Sequence, residues 1–196
     1  MTAEQGDFAT QQSKSELFSA FAAQKFGFFH FSFYLCIRRN EKMNKEPKFK
    51  YQKQIDELLA IGCQLPELFA PNNTQACRFA FSEEGHQNHV PQYMSNPKRM
   101  LQDISKSKAN TSLLALSCFT TSDKAETFYS NLRKTFKNVS TSIGDSLAEG
   151  LLANEDGLKT VASTNGHFDF YEYESCDLNK TFQISKNLIE TTDEKD

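Results

Sequence analysis

Residues 113–123, LLALSCFTTSD, decide the fold that this sequence predicts. The first seven are almost entirely apolar and have the length of a strand. Thr121, Ser122 and Asp123 follow as helix N-cap candidates, because short polar side chains can accept hydrogen bonds from the free N–H groups of a first helical turn. Apolar side chains then recur at three- and four-residue spacing, at Ala125, Phe128, Tyr129, Leu132 and Phe136. We predict a strand that leads directly into an amphipathic helix.

Periodicity places three further helices along the chain. One covers residues 51–59 and stops before Gly62. Another follows a turn at Asn96-Pro97, and its apolar face consists of Met100, Leu101 and Ile104. A third, short helix is predicted over residues 143–152, with an apolar face made of Ile143, Leu147, Leu151 and Leu152.

Strands are predicted where short apolar or alternating runs lie between turn signals. In addition to 113–119, these runs are residues 77–81, 92–95, 167–173 and 181–184. Strands and helices are interspersed without the regular alternation of a doubly wound sheet. The predicted class is therefore α+β, a mainly antiparallel sheet with helices packed on it, in a single domain.

The first 42 residues differ in composition from the rest of the chain. Eight of the eighteen phenylalanines lie within the first 33 residues, and Met43 opens a charged segment typical of the start of a domain. We predict an aromatic-rich N-terminal extension over residues 1–42, an α+β domain over 43–189 and a disordered acidic tail over 190–196.

The most apolar part of that extension is FGFFHFSFYLCIRR, residues 26–39. Its uncharged run has 12 residues, whereas a spanning helix needs about 20, so the signal for membrane association is weak. It resembles part of an aromatic RNA-binding strand, but it comes too early in the chain for that sheet, so the sequence carries no strong nucleic-acid signal. Two alternatives stay open: a segment outside the core fold, or a core strand that buries Phe29, Phe31, Phe33, Leu35 and Ile37.

The net charge of −3 is unevenly distributed. Residues 95–139 carry eight basic and three acidic groups, whereas residues 140–196 carry four basic and twelve acidic groups. These charges either pair within one fold or form a basic patch for an acidic partner. The five cysteines are scattered and form no C-x-x-C pair, which indicates reduced thiols and a cytoplasmic location.

Several common catalytic spacings are absent from the sequence. It contains no G-x-G, no G-x-x-x-x-G-K-[ST], no H-E-x-x-H and no G-x-S-x-G. The sequence therefore gives no support for dinucleotide binding, for P-loop nucleotide hydrolysis, for zincin proteolysis or for esterase activity with a nucleophile elbow.

Four polar residues remain as candidates for chemistry: His86 and His89 in a predicted loop, and His167 and Asp169 in a predicted strand. Imidazole and carboxylate groups can bind a divalent transition metal, and they can also act as general acids and bases. The other interpretation is that the loop histidines are solvated and that His167 is an ordinary strand residue.

Cys118 and three cations complete the candidate residues. Cys118 precedes a predicted helix, whose dipole would favour a nucleophilic thiolate, although a buried inert thiol is the simpler interpretation. Arg78, Lys98 and Arg99 are candidates for binding a phosphate or carboxylate, although surface cations explain them equally well.

The leading prediction is a small soluble binding or accessory protein that acts through a protein or acidic partner. The alternative is a metal- or histidine-dependent hydrolase or transferase that uses His86, His89, His167 and Asp169. That alternative requires the four side chains to converge on one site.

Overall fold

The computed structural model describes residues 47–189 of the chain. The predicted extension over residues 1–42, the apolar run at 26–39 and the acidic tail over 190–196 lie outside the described residues, so the domain boundaries stay predictions. Within the described part, no helix combines the length and the apolar character needed to cross a bilayer.

An antiparallel sheet forms the centre of the described chain. Its strands are β1 (Thr74–Ala80), β2 (Leu116–Phe119), β3 (Ser146–Leu152), β4 (Gly157–Lys159), β5 (His167–Glu172) and β6 (Gln183–Asn187). They lie in the order β4-β5-β2-β1-β3-β6, and each pair of neighbours is antiparallel. The five residues of the edge strand β6 are all exposed, and its pairing with β3 shifts between Leu147 and Ala148.

Helices connect these strands and cover the sheet. They are α1 (Gln52–Ala60), α2 (Gln92–Ser95), α3 (Pro97–Ser105), α4 (Ser122–Thr135), α5 (Val139–Ile143) and α6 (Leu178–Thr181), with a 3-10 helix at Thr111–Leu114. The predicted α+β class with a mainly antiparallel sheet is confirmed.

The strand-then-helix unit is present at the predicted place. The Thr121 side chain accepts a hydrogen bond from the Lys124 N–H, so α4 begins where the cap candidates indicated. The strand is shorter than predicted, because residues 111–114 form the 3-10 helix before β2 starts at Leu116. The predicted helices at residues 51–59 and after Asn96-Pro97 are also present, as α1 and α3.

The two faces of the sheet carry different cores. On one face, called here the Phe170 face, lie alternate residues of three strands, namely Ala76, Arg78, Ala80, Leu116, Cys118, Phe168, Phe170 and Glu172. The opposite face, called the Phe119 face, carries Cys77, Phe119, Leu147 and Tyr171. Helix α4 packs on the Phe119 face through Ala125, and α1 to α3 pack around Tyr171.

The prediction of a helix over residues 143–152 is wrong. Ile143 ends α5, and residues 146–152 form β3, which pairs with β1 from Thr74↔Leu152 to Ala80↔Ser146. The i, i+4 spacing of its apolar residues imitates a helix. Residues 146–148 are buried in succession, whereas the apolar Leu151 is 54% exposed, so apolar and polar residues do not alternate along β3 and the local pattern misleads.

The prediction of a strand at residues 92–95 is also wrong, because these residues form α2. The Pro91 carbonyl accepts hydrogen bonds from the N–H groups of Met94 at 3.0 Å and Ser95 at 2.9 Å, which closes a helical turn. Tyr93 is fully buried, and its hydroxyl donates to Asp103 Oδ2 at 3.0 Å. Tertiary packing of one aromatic side chain therefore overrides a weak local preference.

A matched pair of glycine variants tests the turn between α5 and β3. Gly144 has a φ of +121°, and a Cβ atom there would overlap the backbone of Ala80. Gly85 has a φ of +83°, but a Cβ there would have no heavy atom within 4 Å. We expect Gly144→Ala to lower the free energy of unfolding by about 3 kcal/mol and Gly85→Ala by about 1 kcal/mol, measured in urea. Equal losses would contradict the close approach to β1.

Candidate functional site

The two loop histidines do not share a site with His167. His86 is exposed and its ring lies 4.0 Å from that of Phe81, measured between centroids. His89 stacks at 5.2 Å on Phe182, which belongs to the core of the Phe170 face. His167 packs edge-on against Phe119 at 5.4 Å, on the opposite face. The sheet therefore separates His89 from His167.

The predicted metal site is not assembled by this arrangement. Among residues 47–189, no three His, Cys, Asp or Glu side chains are grouped so that they could hold a metal ion. His167 and Asp169 do lie close together, with Nε2 and Oδ1 3.9 Å apart, whereas His89 lies across the sheet. The four-residue set that the sequence suggested for metal binding or acid-base work is not brought together.

Ser117, which was not a candidate from the sequence, contacts His167. Its hydroxyl lies 2.7 Å from His167 Nε2, the nitrogen that also faces Asp169. In a nucleophilic triad the carboxylate holds the other imidazole nitrogen and so fixes the tautomer that accepts the serine proton. Here both partners face one nitrogen, so Asp169 does not orient His167 as a general base toward Ser117.

Cys118 has the properties of an inert thiol. It is fully buried on the Phe170 face, whereas α4 packs on the opposite face, so the sheet separates this thiol from the predicted helix dipole. Burial raises the pKa of Cys118 to about 12, and the neighbouring Arg78 opposes that shift only in part. The thiol stays protonated at neutral pH, which does not support the predicted nucleophile.

Arg78 occupies the middle of β1 and points into the apolar core of the Phe170 face. It is only 9% exposed, and its Nε and Nη1 atoms have no hydrogen-bond partner among the described residues. Burial lowers the pKa of Arg78, while the Glu172 carboxylate acts in the opposite direction. A buried guanidinium with unpaired nitrogens is unusual, because desolvation of a charge is expensive unless hydrogen bonds offset it.

Glu172 is a buried acidic residue on the same face of the sheet, and its charge acts on Arg78. It is 3% exposed, and its Oε2 accepts a hydrogen bond from Lys50 Nζ at 3.0 Å. Burial raises the pKa of Glu172, whereas Lys50, Arg78 and the Tyr51 hydroxyl act to lower it. The other carboxylate oxygen, Oε1, is buried and has no partner within the described residues.

His89 completes this group, which we call the Arg78 centre and define as Arg78, His89, Glu172 and Lys50. Burial lowers the pKa of His89 to about 4, with further contributions from Arg78 and Lys50, so the ring is neutral at pH 7. Its Nδ1 atom is buried without a hydrogen-bond partner in the described part. Its backbone φ of +59° is uncommon for a residue other than glycine.

Lys98 and Arg99 do not join Arg78 in an anion site. Both are exposed on α3, which packs around Tyr171 on the Phe119 face. Arg99 Nε lies 3.5 Å from Asp103 Oδ2. Of the three predicted anion-binding residues, only Arg78 therefore lies in a buried polar environment.

An apolar groove lies where α4 ends and α5 begins. Its volume is about 390 Å³, and it is lined by Leu132, Phe136, Lys137, Asn138, Val139, Ser142 and Ile143. Phe136 follows the last turn of α4 and is 60% exposed. Lys137 belongs to the lining, whereas Arg133 and Lys134 lie in the adjoining last turn of α4 and outside the lining; these three cations are called here the basic rim. We call it the α4–α5 groove.

Comparison with known proteins finds nothing similar: no protein family, no curated protein and no solved structure matches this chain. The geometry and charge of the described residues must carry the functional argument.

The alternation of side chains between the two faces of a strand could have pointed to the Arg78 centre. Arg78 lies between Ala76 and Ala80, and Glu172 continues the buried series of Phe168 and Phe170, so each is a charged residue at a core position of its strand. Such a charge needs a partner or a ligand. The sequence contains no such signal for Lys50 or Ser117, because lysines at the surface and serines in strands are common.

The buried neutral His89 predicts acid sensitivity. Its pKa is about 4 in the folded protein against 6.5 for a free imidazole, so its contribution to stability is present above pH 6.5 and is lost as the pH falls toward 4. We expect a loss on the order of 1–2 kcal/mol across that window, discounted for partial exposure. In urea unfolding at several pH values, His89→Gln should flatten this slope. His86→Gln, in the same loop but exposed, should leave it unchanged; the reverse outcome would contradict the assignment.

The buried carboxylate of Glu172 is expected to lower the stability of the fold when it is ionised. Its pKa is raised because the effect of burial exceeds the opposing effects of Lys50, Arg78 and Tyr51, so the folded state favours the protonated form and this contribution to stability is lost as the pH rises through the raised pKa. Glu172→Gln resembles the protonated form, so it should flatten that pH dependence and should not lower the free energy of unfolding at pH 7. Glu174→Gln, two residues further on and exposed, is the matched control and should change the free energy of unfolding by less than about 0.5 kcal/mol. Urea titration at several pH values, followed by circular dichroism, measures both, and a marked loss of stability in Glu172→Gln at pH 7 would contradict the assignment.

Proposed function

We propose that this chain is a small binding protein that docks an acidic, amphipathic segment of a partner protein in the α4–α5 groove. The observation that carries the proposal is the exposure of Phe136, 60% of whose surface is in water beside an apolar groove. Exposed apolar surface of this kind, bordered by polar residues, is typical of protein–protein contact sites. An aromatic side chain is a frequent energetic anchor in such sites.

The charge around the groove supports an acidic partner. Lys137 lines the groove, and Arg133 and Lys134 lie in the adjoining last turn of α4. Among the described residues none of the three lies within 4.0 Å of a carboxylate oxygen. Uncompensated cations attract an acidic segment and orient it during the encounter. The helix dipole also favours cations at the end of α4, so their presence there has an explanation that involves no ligand. A test must therefore vary the charge of the ligand.

The proposed ligand is helical. An amphipathic helix presents apolar side chains at i, i+3 and i+4, which can enter a short groove while acidic residues on its flanks meet the basic rim. The exposed Phe136 would then be covered by the apolar face of the partner.

The alternative of a metal- or histidine-dependent hydrolase or transferase has less support. His89 and His167 lie on opposite faces of the sheet, and the contacts of Ser117 and Asp169 with His167 involve the same nitrogen.

The proposal also places the protein in the cytoplasm, because Cys63, Cys77, Cys118 and Cys176 are all free thiols.

Two synthetic peptides test the proposal directly. Both are amphipathic helices of about five turns with the same leucine face, and their polar faces carry either glutamates or lysines. In fluorescence anisotropy at low salt we expect the acidic peptide to bind with a Kd on the order of 10 μM and the basic peptide not to bind. Added salt should weaken the binding, since the rim charges are exposed.

Surface variants locate the binding. Phe136→Ser should weaken the acidic peptide at least tenfold, because it removes the apolar anchor without touching the core. Leu101→Ser on α3 is the matched control, since Leu101 is 68% exposed and lies outside the groove. Binding of both peptides with equal affinity, or full binding by Phe136→Ser, would disprove this function.

A further inference from the structure

The outward side of α3 combines an exposed apolar side chain with polar and basic neighbours. Met100 and Ile104 lie on the inward side and pack in the core around Tyr171. Four exposed residues, spaced by three and four positions, share the opposite side of the helix: Lys98, Leu101, Gln102 and Ser105. Leu101 is 68% exposed, so an aliphatic side chain is in water at the middle of a polar helix face.

Two further lysines follow in an ordered turn where α3 ends. The Ser107 N–H donates to the Ile104 carbonyl at 3.0 Å, and the Lys108 N–H donates to the Asp103 carbonyl at 2.8 Å. This pair of hydrogen bonds is the Schellman arrangement, and Ser107 has the positive φ, +53°, that it requires. The backbone that carries Lys106 and Lys108 is therefore fixed. We call the following set the Leu101 face: Lys98, Leu101, Gln102, Ser105, Lys106 and Lys108.

The three lysines of the Leu101 face are not neutralised by carboxylates in the described part of the chain. Among residues 47–189, none of their ammonium groups lies within 4.0 Å of a carboxylate oxygen. Asp103, the acidic residue of α3, is engaged by Arg99 Nε at 3.5 Å and by the Tyr93 hydroxyl at 3.0 Å. The Leu101 face therefore carries three positive charges and no negative charge.

The helix dipole explains only part of this charge distribution. The dipole stabilises cations at the C-terminal end of a helix, which accounts for Lys106 and Lys108 without any ligand. Lys98 lies in the first turn of α3, where the dipole is unfavourable for a cation, and that turn contains no acidic residue. The stability of the helix does not explain Lys98, whereas an external anionic surface would offset its cost.

We propose that the Leu101 face docks this protein on an anionic phospholipid bilayer. Leu101 enters the boundary between headgroups and acyl chains, while the lysines at both ends of the face keep their ammonium groups among the anionic headgroups. A convex helix face with one central apolar side chain matches a flat, negatively charged surface. Single-stranded nucleic acid is the poorer match, because its bases stack on aromatic side chains and the face has none.

This docking is weak and reversible. Each lysine close to a membrane rich in phosphatidylserine strengthens binding about fivefold, and the burial of one leucine adds a factor of similar size. The four contributions together predict half-maximal binding on the order of 1 mM accessible lipid at low salt. The Leu101 face shares no residue with the α4–α5 groove or the basic rim, so this inference goes beyond the proposed function and does not depend on it.

Co-sedimentation of the full chain with lipid vesicles tests the proposal. One vesicle contains about one third phosphatidylserine and two thirds phosphatidylcholine, and the other contains phosphatidylcholine alone. We expect the chain to bind the first vesicle and not the second, and salt at about 0.5 M to release it.

Two matched triple variants assign the charge dependence. The lysine variant should weaken vesicle binding about 100-fold; it combines Lys98→Gln, Lys106→Gln and Lys108→Gln. The rim variant is the control and should bind vesicles like the unchanged chain; it combines Arg133→Gln, Lys134→Gln and Lys137→Gln. In the peptide assay the roles are reversed, since the rim variant should lose the acidic peptide and the lysine variant should keep it. The two proposals therefore fail separately.

A second matched pair tests the apolar contact. Leu101→Ser should weaken vesicle binding about fivefold. Val161→Ser is the control and should leave it unchanged, because Val161 is 70% exposed but lies in the connection between β4 and β5. All the substituted side chains are exposed, so circular dichroism should show that every variant is folded.

Four results would overturn the inference. The first is an absence of binding to either vesicle, and the second is equal binding to both. The third is full vesicle binding by the lysine variant or by Leu101→Ser, which would place the membrane contact elsewhere in the chain. The fourth is tighter binding of a single-stranded oligonucleotide of about 20 nucleotides than of vesicles, lost in the lysine variant, which would assign the face to nucleic acid.

Discussion

The ladder between β1 and β3 is the constraint on which the rest of the fold depends. Its seven backbone pairs join segments that are distant in sequence, and their register decides which face each side chain of β1 enters. A slip of one residue would exchange the two faces of β1. Arg78 would then point toward the aromatic side chains around Phe119, and Phe79 would point into the core of the Phe170 face. The Phe119 core, the Phe170 core and the position of the buried guanidinium therefore depend on one pairing.

The sequence predicted those elements in which the local pattern and the final environment agree. Alternation of Phe168 and Phe170 with less buried residues located the start of β5, and the hydroxyl of Thr121 located α4. Strand β3 was missed because three successive residues, 146–148, are buried while the apolar Leu151 is exposed, so its sequence does not alternate. The predicted histidine site was not found for a related reason. Loop residues such as His89 follow no alternating pattern, so only tertiary packing decides on which side of the sheet they lie. Arg78 was identified as an anion-binding candidate, whereas its separation from Lys98 and Arg99 required knowledge of the helix positions.

The basic rim and the Arg78 centre, two positively charged regions of this molecule, differ in their hydration. The cations near the α4–α5 groove are exposed, hydrated and screened by salt, so under the proposed function they would contribute mainly to the rate of encounter with an acidic partner. The guanidinium of Arg78 is desolvated, so its interactions are strong but tolerate few geometries.

The edge strand β6 has a consequence for how copies of the chain meet at high concentration. Exposed strand edges are templates on which other chains can extend a sheet, and such growth leads to fibrils. Here the five edge residues include Lys186, whose ammonium group is held by Glu126 at 2.7 Å, and the irregular pairing beside Leu147 bends the ladder away from a flat edge. The opposite edge is the three-residue β4, already engaged through Lys159 by an isolated bridge to Phe69. Both described edges thus resist sheet extension, which directs association toward side-chain surfaces rather than toward the backbone.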